Sequence, residues 1–161
     1  MRYHVKTIAS PVGKLYLVGG PSKLHGLFFS PQQMRRHFDG AELSPGANAV
    51  LNKAAKQLKE YFAGTRKKFS VPYSLSGTGF QKKVWGKLAG IPFGKTVSYR
   101  DLAKLSGQAT ASRAVGSANG KNPLCIIVPC HRVIAADGSI GGFSGGLDKK
   151  RKLLSLEKRV A

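Results

Sequence analysis

The sequence predicts an α/β unit, an antiparallel sheet with a helix, followed by a mostly α unit that carries a helix-turn-helix. Three observations predict it. Short apolar stretches near the start are separated by glycine- and proline-bearing turns. Apolar residues from position 48 onward recur at helical spacing. The run Ser74-Leu75-Ser76-Gly77 divides the two regimes, so the expected domains are 1–75 and 76–161.

The elements follow in order. Tyr3 to Ala9, Lys14 to Val18 and Lys23 to Phe29 read as strands. Ser10-Pro11-Val12-Gly13 and Gly19-Gly20-Pro21-Ser22 are turn chemistry between them, so a meander is expected. Pro31 to Ala47 reads as a polar stretch broken at Pro45-Gly46. Asn48 caps a helix to about Phe62 with Val50, Leu51, Ala54, Ala55, Leu58, Tyr61 and Phe62 on one face, and Gly64 ends it. The basic run Arg66-Lys67-Lys68 reads as a solvated face.

Beyond the boundary, Gly79 to Leu88 is amphipathic, and Phe80, Val84, Trp85 and Leu88 read as core. Ile91-Pro92-Phe93-Gly94 is a turn. Ser98 caps a short helix, Tyr99 to Leu105, and a second runs from about Thr110 to Ala118. Two short helices around Ser106-Gly107 outline a helix-turn-helix.

Charge narrows the function classes. Lys and Arg number 27 against 7 acids, a net charge of +20. Residues 1–75 hold 12 bases and 3 acids, and residues 76–161 hold 15 and 4, so both halves attract polyanions. Nucleic acid is the expected partner. No apolar run approaches the ~20 residues that span a bilayer, and no signal-peptide core opens the chain, so no membrane role and a cytoplasmic location are expected. Two cysteines, Cys125 and Cys130, are too few for a disulfide framework or a four-cysteine zinc site.

Leu124-Cys125-Ile126-Ile127-Val128 reads as a buried strand, and Pro129 ends it because proline cannot donate to a ladder. Cys130 is then expected on a turn at the strand's end, beside His131, which favours thiolate as base or cationic neighbour. Adjacent residues of an extended chain face opposite ways, so His131 needs a bent chain or a relaying water to act on Cys130. Cys125, inside the apolar run, reads as structural.

Pro129-Cys130-His131-Arg132-Val133 resembles the active-site signature of the O6-alkylguanine-DNA alkyltransferases. So, in family order, do Thr78 to Trp85, Ile91 to Gly94, Val97-Ser98-Tyr99, Ser112 to Gly116, Asn122-Pro123 and Ser144 to Leu147. The likeness spans most of 78–157. Residues 1–75 resemble the family's more variable N-terminal domain, which implies a ribonuclease-H-like shape.

The resemblance implies the roles. Cys130 accepts the alkyl group; His131 activates it through a water; Asn122 holds that arrangement; Glu157 orients the histidine. Tyr99 donates to the guanine ring and helps rotate the nucleotide out of the duplex. Arg113 fills the gap left by the flipped base, with Ala114 and Gly116 on the same DNA-facing helix. Ser144 and Phe143 line the base pocket, and the carbonyls of Cys130 and Val133 accept from the guanine amino group. Phe143 stands where many relatives have tyrosine, and Lys152 where many have an aromatic residue. The resemblance implies irreversible single-turnover transfer from O6-alkylguanine, and from O4-alkylthymine, in double-stranded DNA. It implies a monomer that needs no cofactor or metal. Two alternatives stay open: a module that binds alkylguanine DNA without reacting, against which Cys130 argues, and a helix-turn-helix regulator with a structural Cys130. Turnover of an ester or amide would instead reveal a cysteine hydrolase.

Overall fold

The computed structural model describes residues 1–143 and 145–161, and divides the chain into two compact units, Met1–Leu75 and Ser76–Ala161. In the first, β1 (Arg2–Ile8), β2 (Leu15–Gly19) and β3 (Leu24–Phe28) form the expected antiparallel meander. The polar stretch from Pro31 to Ala47 holds two elements. Helix α1 (Pro31–His37) starts with Ser30 accepting from the Gln33 amide and proline at its first position, and β4 (Glu42–Pro45) pairs parallel with β1. The sheet is therefore mixed, in the order β3-β2-β1-β4.

Helix α2 (Ala49–Phe62) starts where expected, with the Asn48 side chain accepting from the Leu51 amide at 3.0 Å. Leu15 and Leu17 point to the α2 side of the sheet, where Gly19 lies against Leu51; a Cβ there would come within 2.8 Å of Leu51 Cγ. Tyr3, Val18 and Phe28 point to the other face and pack with Met34 and Phe38. Both faces are covered, which is why β2 and β3 lack polar alternation.

In the second unit, α3 (Gly79–Leu88) has a reciprocal cap between Thr78 and Gln81 and buries Val84, Trp85 and Leu88. The two-residue strand β5 (Val97–Ser98) leads into α4 (Tyr99–Leu105), capped by Ser98. Helix α5 is Ser112–Gly120, starting and ending two residues later than the periodicity predicts. The Trp85 indole donates to the Ala118 carbonyl at 2.9 Å and ties α3 to α5. A 3-10 turn (Cys130–Arg132), β6 (Val133–Ile134) and α6 (Leu147–Val160) complete the unit. Among the described residues, no helix is long and apolar enough to cross a membrane.

Candidate active site

Residues 124–128 form no strand, contrary to the expectation from their apolar run. They reverse direction: the Val128 amide donates to the Leu124 carbonyl at 2.9 Å, and the Ile127 amide to that of Cys125 at 2.8 Å. Ile126 has φ of 72°, a left-handed conformation unfavourable for a β-branched residue. Asn122 clamps the reversal from inside, its amide nitrogen on the Val128 carbonyl at 2.7 Å and its oxygen accepting from Leu124 at 3.0 Å. Cys130 thus opens a 3-10 turn behind a folded loop, and the chain is bent at His131.

His131 is fully buried, with Nε2 at 2.6 Å from a Glu157 oxygen. A carboxylate acceptor requires the proton on Nε2, which leaves Nδ1 with a lone pair; it has no hydrogen-bond partner among the described residues. Burial lowers the His131 pKa against the opposing pull of Glu157, so the ring is neutral near pH 7. Arg132, given no role from sequence, binds the same carboxylate through Nε at 2.7 Å and Nη2 at 3.1 Å. Its Nη1 donates to the Ile91 carbonyl at 2.7 Å, and its guanidinium lies over the Phe93 ring. Glu157 is reached because Lys150, Leu153, Leu156 and Glu157 share the buried face of α6. Gly94 gives it the room, since a Cβ there would meet Ala161 Cβ at 2.6 Å.

Cys130 is 2% exposed. A hydrogen bond from the Cys125 thiol pulls its pKa below the ordinary thiol value; burial opposes this, and Asn122 and the Lys150 charge add to the lowering. Cys125 is buried, as read from sequence, with its Sγ 3.8 Å from the Asn122 carbonyl. Lys150 was missed, hidden in the run Lys149 to Lys152 that resembles a solvated face. It is fully buried, with Nζ donating to the Val133 carbonyl at 2.6 Å and to that of Gly142 at 3.0 Å. Desolvation lowers its pKa to about 8.

Parallel pairing of Val97 with Val133 and Ser98 with Ile134 sets Tyr99 beside the turn. The Tyr99 hydroxyl donates to the Gly142 carbonyl at 3.3 Å; burial, then the Cys130 charge, push its pKa up. Gly141, with φ of 72°, lets the loop approach: a Cβ would lie 3.2 Å from the Tyr99 ring. Gly116 of α5 backs the same ring, while Arg113 and Ala114 are exposed at the start of α5. The site therefore joins Cys130, His131, Glu157, Asn122 and Tyr99, with Arg113 and Ala114 on the outer surface. Of the pocket residues, Val133 is buried with its carbonyl accepting from Lys150. Phe143 is half-buried, and Ser144 lies outside the described residues. Among the described residues, no group of three His, Cys, Asp or Glu is arranged to hold a metal.

A Lys150→Met variant is expected to raise the Cys130 pKa and slow its reaction at pH 7 by about three- to tenfold, since a nearby cation favours thiolate. Wild type loses the Lys150 proton as pH passes about 8, so the gap between the two should narrow above that pH. Rates of Cys130 alkylation across pH check this; a gap independent of pH would deny Lys150 its electrostatic role.

Residues 1–75 match the family domain described as "6-O-methylguanine DNA methyltransferase, ribonuclease-like domain", and residues 79–159 match its "DNA binding domain". A Mycobacterium tuberculosis protein named methylated-DNA–protein-cysteine methyltransferase is 46% identical over 158 residues, 98% of this chain and 94% of that protein. The inducible Bacillus subtilis protein of the same name is 43% identical, covering 96% of this chain and 84% of that one. The crystal structure of Mycobacterium tuberculosis OGT in complex with DNA superposes with a TM-score of 0.87 at 46% identity, over 100% of this chain and 95% of that one. A buried, thiolate-favouring cysteine beside a Glu157-held histidine thus sits in a chain matched along nearly its whole length, and this chain belongs to the 6-O-methylguanine DNA methyltransferase family.

Proposed function

We propose that this protein repairs DNA by moving the alkyl group of O6-alkylguanine, and of O4-alkylthymine, onto Cys130. The observation that carries this reading is the pairing of a buried thiol held toward thiolate with a neutral histidine whose Nδ1 is open. The Cys130 proton passes through a bridging water to His131 Nδ1, and Glu157 stabilises the imidazolium that forms. The Cys130 sulfur then attacks the alkyl carbon. The Sγ–C bond forms as the C–O6 bond breaks, and the electron pair goes to the guanine ring. Tyr99 donates toward that ring and is reprotonated from His131, so the thiol proton ends on guanine.

The target carbon is inside the base stack, so the nucleotide must leave the duplex. Arg113, exposed at the start of α5, is suited to fill the gap, with Ala114 beside it and Gly116 allowing α5 to close on Tyr99. The pocket wall is assigned to Phe143, Ser144 and the Val133 carbonyl. A net charge of +20 supports backbone-dominated DNA binding by a monomer.

A thioether on simple alkyl carbon is a poor target for water, so each chain should react once. Incubation with duplex DNA carrying labelled O6-methylguanine should give a burst equal to the active protein. Intact mass should show one added methyl, mapped to Cys130. Sustained turnover, or a methyl on any other residue, would overturn the reading.

A further inference from the structure

We propose that a cleft beside α6 is a docking site for an acidic protein segment that carries a large apolar side chain. The cleft measures about 540 Å³, within the range of built ligand sites, and every residue of its wall belongs to the second unit. Helix α6 makes part of that wall. Its buried face holds Lys150, Leu153, Leu156 and Glu157. Arg151, Leu154, Ser155 and Lys158 follow at helical spacing on an adjoining face, and these four line the cleft. Leu154 is thus a half-buried apolar residue with one cation a turn before it and another a turn after. Ile134 and Ile140, also half-buried, extend the apolar floor, and Lys95 adds a third cation.

Electrostatics and shape select the occupant. Lys95, Arg151 and Lys158 are exposed, and none has an ion-pair partner among the described residues, whereas Lys152 pairs with Asp148 at 3.4 Å. Two acids lie close by and neither opposes an anion strongly. Glu157 reaches the wall, but it is 1% exposed and committed to Arg132 and His131. Asp137, beside Gly138 of the wall, lies outside the lining and accepts from the Ser139 amide and hydroxyl at 2.9 and 2.7 Å. Three cations around apolar surface complement carboxylates that flank an apolar anchor. Nucleic acid fits less well. A phosphate backbone needs cations but no apolar floor, and unpaired bases need aromatic faces to stack on, which none of the described wall residues supplies. No residue of α4 or α5 lines the cleft, so docking there leaves both helices of the helix-turn-helix open to DNA.

The test is fluorescence anisotropy of the full-length protein at physiological salt with two labelled peptides. One alternates aspartate with leucine; the other has the same length and charge, with alanine for leucine. The leucine peptide should bind at least about tenfold more tightly, the worth of burying one leucine side chain. Arg151→Glu should weaken its binding about tenfold or more. Lys82→Glu, an equal charge change on α3 outside the cleft, should weaken it less than about threefold. Leu154→Ala should remove most of the preference for leucine over alanine. Protein saturated with an unmodified duplex should still take up the leucine peptide. Equal affinity for the two peptides, or equal losses in Arg151→Glu and Lys82→Glu, would show that net charge alone draws the peptide and would overturn the proposal. So would release of the peptide in step with duplex binding, which would give the cleft to DNA. None of these readouts involves methyl transfer, so they stand or fall apart from the reaction at Cys130.

Discussion

A Cys130→Ala variant is expected to take up no methyl group from O6-methylguanine DNA, while its affinity for unmodified duplex stays within about twofold of wild type. The two halves of that result have separate causes. Transfer needs a polarizable sulfur that ionises readily, and Cys125, Asn122 and the Lys150 charge all lower the pKa of that one atom. Binding needs charge and surface. Cys130 offers neither, being 2% exposed, while the net charge of +20 and the exposed start of α5 are untouched. Cys130→Ser is expected to fail as completely, since a hydroxyl ionises many pH units above a thiol and the same donors cannot make up the difference. Loss of the buried sulfur should cost about 1 kcal/mol of stability, a small cavity term. Intact mass after incubation with labelled duplex checks the first half, and fluorescence anisotropy with unmodified duplex the second. Methyl uptake by Cys130→Ala would sink the mechanism outright.

What could be read from sequence divides along the range of the interactions involved. Helices α2, α3 and α4 were legible because their causes are local: Asn48 and Ser98 cap, and apolar residues recur every three to four positions. Helix α1 carried a local signal too, Ser30 followed by Pro31. With only Met34 buried in seven residues, it has no periodicity to support it. Strand β4 was invisible because its pairing is with β1, some forty residues away. The 124–128 segment was misread for a related reason. A short apolar run fits a buried strand or a buried turn equally well, and the Asn122 side chain that decides between them bonds across the loop.

The same division runs through the site. Cys130, His131 and Glu157 were recognised from motif and resemblance, and the rarity of acids gave Glu157 some weight of its own. Lys150 and Arg132 were not, because nothing local distinguishes them. Lys150 lies among three other basic residues, yet it alone of the four is buried and aimed at two carbonyls.

Glu157 is where the largest combined effect on stability and rate is expected. Its carboxylate is 1% exposed and holds Arg132 and His131 together. Glu157→Ala leaves a buried guanidinium with one carbonyl partner at Ile91, and His131 Nε2 with no acceptor. Breaking a buried ion pair from one side costs about 3–5 kcal/mol, so urea unfolding should show a loss of that order. Glu157→Gln separates fold from chemistry. Its amide oxygen can accept from Arg132, keeping much of the packing, but it brings no charge to support an imidazolium. If its NH2 turns toward Nε2, the tautomer reverses and Nδ1 becomes a donor, unable to take a proton at all. Single-turnover transfer by Glu157→Gln should therefore be at least about 100-fold slower, the usual size of a lost general base. Binding to unmodified duplex should change little. The depressed His131 pKa sets the pH trend. Protonation of the ring is disfavoured in the folded protein, so stability is lost as pH falls below the unfolded value of 6.5. That acid-side loss should steepen in Glu157→Gln, where no carboxylate remains to offset the buried charge. Wild-type transfer by Glu157→Gln would mean that His131 works without its carboxylate, and the proton route through Nδ1 would have to be abandoned.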